Sequence, residues 1–272
     1  MRIHGICLVK NEGDVMRHFL RQSVTWCDRI YVYDNGSSDQ TWAIAQELAK
    51  EFPQVVPFRQ DGKPFNDGMR AEVFNRFRED ARDGDWWCRL DADEFYVDDP
   101  RTFLAATPRR FHVVWSVHLQ YYLTPLDLPR FASETEPPEI SADNLPRYYA
   151  ANASEGRFFR HRSRLQWPGG AWPLHVGLVA PRRIRLKHLQ YRSPGQIQRR
   201  FQTRQETAAR GGQTFSHWDQ NHWRDLLTDP EKLSLDRDDG QFEIDESRLP
   251  RHLEPAWQRV VKSVLHGTGV WP

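Results

Sequence analysis

The stretch WWCRLDADEFYVDD, residues 86–99, changes from apolar to acidic within a few positions. Residues 86–90 predict a buried strand that ends at Leu90. If strand geometry continued, Asp91 and Asp93 would point to one side and Glu94 to the other. Two carboxylates at a strand end are hard oxygen ligands that suit Mg²⁺ or Mn²⁺. The stretch therefore predicts a metal-dependent site at the edge of a sheet.

The composition predicts a folded chain of 272 residues, 39% hydrophobic and 12% aromatic. This length fits one large α/β domain or a domain with an appended lobe. A net charge of +1 gives no overall attraction to nucleic acid or membrane. We expect a cytoplasmic protein for three reasons. The three cysteines lack metal-like spacing, and the sequence shows neither an N-terminal signal region nor an apolar run long enough to span a membrane.

Strands and helices alternate in the first half of the sequence. Strands are predicted at 3–9, 29–33, 55–58 and 86–90, and helices at 15–24, 42–49 and 68–82. This alternation favours parallel βαβ units, whose ligands bind beyond the carboxyl ends of the strands. Three of those ends are polar, at Asn11/Glu12, at Asp34/Asn35/Asp39 and at Asp91/Asp93/Glu94.

The second half has a different pattern. Strands are predicted at 111–122, 157–162, 176–180 and 183–191, with an irregular stretch at 123–146. Ser193 and Pro194 predict the start of a helix that runs to about residue 210, with Gln196 completing a capping box. A last helix is predicted near 257–265.

Three motifs together resemble the nucleotide-sugar-binding half of family 2-type glycosyltransferases with a GT-A fold: CLVKNEGD (7–14), IYVYDNGSSDQTWAIA (30–45) and WWCRLDADEF (86–95). LDADEF is also similar to the family 92 glycosyltransferases. The resemblance covers residues 1–120. It implies an α/β, Rossmann-like mixed sheet flanked by helices, with a C-terminal acceptor-side extension. On this basis 1–120 form the donor-binding half, 121–212 the acceptor-side half of the same domain, and 213–272 a helical tail.

The resemblance also implies an activity. A hexosyltransferase-like enzyme would move a sugar from a nucleotide-diphosphate sugar to a saccharide or lipid-linked glycan acceptor, by an inverting reaction. The leaving diphosphate needs its charge stabilised, and a divalent cation, Mn²⁺ or Mg²⁺, can do so as a Lewis acid. Protein carboxylates alone would repel the diphosphate, so the acidic strand ends require that cation.

Residue roles follow from the same resemblance. The implied donor-binding residues are Asn11, Glu12, Asp34, Asp39, Arg70, Asn75 and Asp91, and the implied metal ligands are Asp93, Asp91 and His188. Asp34 would hold the base or ribose, whereas helix capping is an equal alternative for Asp39. His188 belongs to HLQYRSP (188–194), which resembles a C-terminal element of bacterial relatives, and His175 is the second choice.

The general base is harder to predict, because no acidic residue lies between 156 and 205. Glu155 is the preferred candidate and Asp143 the second, ahead of Asp127 and Glu94. The glutamate–aspartate pair of many family 2 members is absent, which leaves the stereochemistry open between inversion and retention.

Two other functions remain open. A metal-dependent nucleotidyltransferase also uses paired carboxylates, but a glycine-rich basic loop would be expected where LVKNEGD is acidic. A nucleic-acid-binding module is less favoured, because no recognised motif is present and the cleft is acidic. Arg199, Arg200 and Arg204 predict a solvated basic face, with peripheral contact to the inner membrane face as the alternative.

Overall fold

The computed structural model describes residues 1–131, 133–135, 137–141, 143–209, 211 and 222–272. In the first half, the elements are β1 (Ile3–Val9), α1 (Gly13–Ser23), β2 (Arg29–Asp34), α2 (Thr41–Glu51), β3 (Val55–Gln60), α3 (Met69–Phe77), β4 (Trp86–Leu90), β5 (Glu94–Tyr96) and α4 (Pro100–Ala105). The second half contributes β6 (Val113–Tyr122), β7 (Tyr148–Arg160), β8 (Ile184–His188), α5 (Pro194–Ala209), β9 (Ser234–Leu235) and α6 (Ala256–Gly267).

All described strands join one mixed sheet in the order β3-β2-β1-β4-β7-β6-β8-β5, with β9 paired to β7. β1 is parallel to β2 and to β4, whereas β7 is antiparallel to β4 and to β6. β8 is parallel to β6 and antiparallel to β5. The predicted mixed α/β sheet flanked by helices is therefore confirmed. Because β7 connects β4 to β6, the two predicted halves share one sheet.

The core lies on both faces of this sheet. α1 and α2 pack on one face around Trp86 and Phe158, and α3 packs on the other around Trp87 and Phe159. Adjacent residues reach opposite faces because side chains alternate along a strand. Gly5 permits the close approach of β4, since a Cβ there would lie 2.3 Å from the Cδ1 atom of Leu90. Burial on both faces explains why the parallel strands are continuous apolar runs.

Several element predictions need correction. The helix predicted over 68–82 ends at Phe77 and is followed by a short 3₁₀ turn at Arg78–Asp80. The strand predicted at 176–180 is reduced to an isolated bridge between Val113 and Val179. β7 begins at Tyr148, nine residues before the predicted start at 157. The three-residue β5 is too short to show a periodic pattern.

The final described segment, 222–272, contains short 3₁₀ turns, β9 and α6. The predicted last helix is confirmed as α6. The beginning of the predicted tail, 213–221, lies outside the described residues. In the described part of the chain, none of the helices has the length and apolar character needed to cross a membrane.

Candidate active site

The carboxyl ends of β1 and β4 border a cavity of about 590 Å³. α3 and β7 contribute Arg70 and Arg157, β6 and β8 contribute His118 and His188, and α5 contributes Arg200 and Arg204. The acidic strand ends of the first half thus face a basic helix of the second half.

Asp91 is held by two arginines. Arg70 Nη2 donates to Asp91 Oδ1 at 2.5 Å, and Arg157 Nη1 donates to Asp91 Oδ2 at 2.8 Å. Burial acts to raise the pKa of Asp91, but Arg157 and Arg70 outweigh it and hold that pKa well below its usual range. Both carboxylate oxygens are engaged, so Asp91 is ionised and fixed in place.

Asp93 lies between β8 and α5. Its Oδ2 atom is 3.5 Å from His188 Nε2 and accepts a hydrogen bond from Arg200 Nη1 at 3.0 Å. Burial opposes ionisation of Asp93, but His188 and Arg200 lower the pKa well below its ordinary value. In the described ranges, His188 Nδ1 is buried without a hydrogen-bond partner. The structure therefore brings together Asp93 and His188, which were predicted from distant parts of the sequence.

The carboxylate of Asp93 and the imidazole of His188 are suitable ligands for one divalent cation. Two ligand atoms 3.5 Å apart can share one ion that lies just over 2 Å from each. Asp91 belongs to another group of possible ligands, with Glu94 and Glu155. It fits less well than Asp93, because arginines donate to both oxygens of Asp91, whereas Arg200 donates to one oxygen of Asp93. His188 also belongs to a second group with Glu94 and His118, whose possible ligand atoms lie within 4.8 Å of one another.

Glu94 corrects the expectation that it would face away from Asp91 and Asp93. A turn at 92–93 interrupts strand geometry, and β5 begins at Glu94. Its side chain is fully buried, pairs with Arg157 and lies 4.0 Å from His118 Nε2. Burial raises the pKa of Glu94 well above its ordinary value. Glu94 therefore lies beside the predicted acidic pair.

The first strand-end loop is tied to its neighbours. Asn11, at φ 55°, accepts from the Ser38 N–H at 2.8 Å and donates to Thr203 Oγ1 at 3.0 Å. Glu12 receives a hydrogen bond from Arg192 Nη2 at 2.5 Å. Burial raises the pKa of Glu12 to about 7, although Arg192 opposes this shift. Glu12 lines the cavity.

The two aspartates of the second loop differ. Asp34 Oδ1 accepts from the Ser37 N–H at 2.6 Å, whereas Oδ2 is buried with no partner among the described residues. Burial raises the pKa of Asp34. Asp39 accepts from the N–H groups of Gly13 and Thr41, both at 3.0 Å. Asp39 thus connects two loops at the start of α2, which is the structural alternative considered for it.

Several sequence candidates do not line the cavity, including Asn11, Asp34 and Asp39 of the two loops. Asn75 is exposed and donates to the Trp167 carbonyl at 2.7 Å. His175 stacks on Trp271, with ring centroids 4.3 Å apart. Asp143 lines a separate cavity of about 720 Å³. Glu155, by contrast, lines the same cavity as Asp91 and Asp93 and pairs with Arg157 at 2.5 Å.

Several residues that line the cavity were not predicted from the sequence. Arg157 and His118 gave no local signal, because their partners are distant in sequence. Arg200 and Arg204 were interpreted as a solvated basic face, but both line the cavity and Arg204 is buried. Their spacing of four places them on one helix face. The two arginines follow the HLQYRSP motif on the same helix. Their spacing was the sequence feature that could have indicated a place in the cavity.

Residues 6–107 match the model of a family described as Glycosyl transferase family 2. The matched span includes the acidic ends of β1, β2 and β4 but stops before β7, β8 and α5. It supports the predicted class of enzyme, a glycosyltransferase. No curated protein matches the chain in sequence.

Solved structures show distant likeness. S. aureus TarS 1-349 in complex with UDP-GlcNAc is 16% identical, with a TM-score of 0.34 over 44% of this chain and 34% of that one. The Pyrobaculum calidifontis mannosyltransferase PcManGT in complex with GDP-Man and Mn²⁺ is 14% identical, with a TM-score of 0.41 over 79% and 66%. A putative glucose-1-phosphate thymidylyltransferase from Bacillus anthracis is 15% identical, with a TM-score of 0.33 over 47% and 58%. The chain thus spans from about a third to just under two thirds of these structures.

Proposed function

We propose that the protein is a metal-dependent glycosyltransferase that transfers a sugar from a nucleotide-diphosphate sugar to a saccharide or lipid-linked glycan. The observation that carries this proposal is Asp93 facing both His188 and Arg200 in a cavity at the carboxyl ends of β1 and β4. The family match over residues 6–107 supports it, because that span contains Asp93 and the carboxyl ends of β1 and β4.

A divalent cation, Mn²⁺ or Mg²⁺, would be held by Asp93 and His188. When bound, it would neutralise charge on the leaving diphosphate. Arg200 and Arg204 line the same cavity and add positive charge that does not depend on the metal. Asp91 would act by fixing Arg70 and Arg157 rather than by contacting the ion.

For the nucleoside, we propose that Asp34 binds the base or ribose. Its Oδ2 atom makes no hydrogen bond among the described residues, and an N–H or hydroxyl group of the nucleoside would satisfy it. Because Asp34 is 0% exposed, the loop after β2 would have to move to admit that group. Asn35, the next residue, lines the cavity. Asn11 and Asp39 would support this subsite by holding the two loops together.

For the proton transfer, we propose Glu155 as the general base. Glu155 lines the cavity at β7 and is 44% exposed at its side chain, so an acceptor hydroxyl can reach it. The carboxylate would take the hydroxyl proton as the oxygen attacks the anomeric carbon and the diphosphate leaves. A single general base on the acceptor side would serve an inverting transfer. Asp143 is not placed with Asp91 and Asp93, because it lines the other cavity.

Thermal shift with UDP, GDP and dTDP, each with and without Mn²⁺, tests this function. One nucleoside diphosphate should raise the melting temperature only with Mn²⁺ in the wild type and in Asp239→Asn, an exposed control. Asp93→Asn should lose that effect. Release of pyrophosphate from a nucleoside triphosphate would instead favour a nucleotidyltransferase. Tight, salt-sensitive binding to oligonucleotides alone would overturn both enzyme hypotheses.

A further inference from the structure

Arg89 lines the same cavity but takes no part in the ion pairs described above. It lies on β4, two residues before Asp91, and its residue surface is only 8% exposed. Alternate residues of a strand share a side, so the Arg89 guanidinium is directed toward the side occupied by Asp91. The ring of Trp172 lies 5.1 Å from Arg89 Cζ. Arg89 is thus a nearly buried cation at the base of the site.

Among the described residues, none accepts a hydrogen bond from the guanidinium of Arg89. Its side chain makes no hydrogen bond or ion pair there, and its buried Nε atom lacks a partner. Arginine carries five N–H donors, and a buried charge without hydrogen bonds is costly. The contact with Trp172 satisfies the face of the guanidinium but none of its N–H groups.

The neighbouring carboxylates are already engaged. Asp91 and Glu155 are the anionic groups that act on Arg89, while Arg70 and Arg157 oppose them. Asp91 is held by Arg70 and Arg157, and Glu155 is paired with Arg157. Arg157 therefore has several carboxylate partners, whereas Arg89 has none of its own. An anionic ligand would complete this arrangement.

We infer that Arg89 binds a carboxylate or phosphate carried by the sugar part of a substrate. The inference rests on the proposed function, which assigns the diphosphate to the region of Asp93, His188 and Arg200 and leaves Arg89 for a second anionic group. The planar fork of arginine matches the paired oxygens of both groups. The anion could belong to the transferred sugar or to the acceptor, and the two sources can be separated by experiment.

Binding of matched sugars to the full chain tests the inference. The acceptor arm compares glucuronate and glucose 6-phosphate with glucose, and the donor arm compares UDP-glucuronate with UDP-glucose. Each is titrated by calorimetry into the wild type, Arg89→Met and Arg76→Met. Arg76 is a matched control, because it also stacks on an aromatic ring, Phe77, but is exposed and outside the cavity.

In at least one arm, the wild type and Arg76→Met should prefer the anionic sugar by about ten- to a hundredfold, the usual effect of a charged hydrogen bond. Arg89→Met should lose that preference and melt no lower than the wild type without ligand, because it removes an unpaired buried charge. Equal binding of charged and neutral sugars in both arms would overturn the inference. So would an unchanged preference in Arg89→Met, or a large loss of its stability alone.

The two proposals can fail separately. Metal-dependent binding of a nucleoside diphosphate without any Arg89-dependent sugar preference would leave the glycosyltransferase standing and reject the anion site. An Arg89-dependent preference for glucuronate or glucose 6-phosphate without nucleotide binding would do the reverse.

Discussion

Arg200 Nη1 donates to Asp93 Oδ2 at 3.0 Å, although the two residues are 107 positions apart. The contact joins α5 to the turn that follows β4. It supplies positive charge where two acidic strand ends would otherwise repel a diphosphate. The cleft therefore depends on the second half of the chain as much as on the matched first half.

Replacing Arg200 tests that dependence. We expect Arg200→Gln to weaken binding of the nucleoside diphosphate by about ten- to a hundredfold, since a charged hydrogen-bond donor is lost. Calorimetry in Mn²⁺ measures the affinity. Arg248→Gln, at a side chain that is 81% exposed, should bind like the wild type. Equal affinities for Arg200→Gln and the control would exclude Arg200 from the diphosphate subsite.

Asp91 and Asp93 should have different effects when changed. Asp91→Asn removes the charge that accepts hydrogen bonds from Arg70 and Arg157, so we expect a loss of about 1.5–3 kcal/mol in the free energy of unfolding. Asp93→Asn should instead remove the Mn²⁺-dependent stabilisation. Urea unfolding with and without Mn²⁺ separates the two effects. The assignment is wrong if Asp91→Asn unfolds like the wild type and also loses the metal response.

His188 should carry part of the metal affinity. Loss of an outer partner of a metal ligand already costs about ten- to a hundredfold in affinity, so His188→Ala should cost at least about tenfold. His175→Ala is the matched control, because His175 stacks on Trp271 outside the cavity. Mn²⁺ titration followed by electron paramagnetic resonance measures both. Identical Mn²⁺ affinities in the two variants would remove His188 from the ligand set.

Glu155 should control turnover. Glu155→Gln should lower the rate of sugar transfer by about 10²–10⁴-fold, the usual contribution of a general base, with little change in donor affinity. Asp143→Asn should leave the rate unchanged, because Asp143 lines the other cavity. Single-turnover kinetics with the identified donor provides the measurement. A rate loss confined to Asp143→Asn would reverse the assignment.

Stability should fall in mild acid because of His4. Burial lowers the pKa of His4 to about 4, whereas an unfolded histidine has a pKa of 6.5. Between these values the unfolded chain binds the extra proton, so stability is fully present above pH 6.5 and falls toward pH 4. The effect of this group is about 3 kcal/mol. His4→Gln should flatten the decline in urea midpoints, and an equally steep decline would contradict the assignment.

Local sequence predicted the elements of the first half of the fold well. Runs such as Ile3–Val9 are uniformly buried, and polar residues follow directly where each strand leaves the core. Asp91 and Asp93 could be chosen on that basis, because the change from apolar to acidic marks the edge of the sheet. The strand β5 at 94–96 could not be predicted, because three residues are too few to show an alternating pattern.

The partners of these residues could not be predicted in the same way. Arg157 meets Asp91 across 66 positions, and Arg192 meets Glu12 across 180. Such pairs depend on the order of the strands in the sheet and on where the helices pack. Local hydrophobic patterns do not predict either of these. Arg200 and Arg204 show the consequence, because a basic helix face has the same spacing whether it meets solvent or an acidic cleft.

The long-range pairs of Arg192 also bear on the order in which the protein folds. Arg192 contacts Glu12 and Asp14, so a growing chain presents these carboxylates long before their cation is synthesised. Contacts of such large sequence separation form slowly because a long loop must close. We therefore expect the sheet of the first half to form before the cleft. Hydrogen exchange during refolding should show early protection in β1 and β2 and late protection in β8, the strand that leads into Arg192.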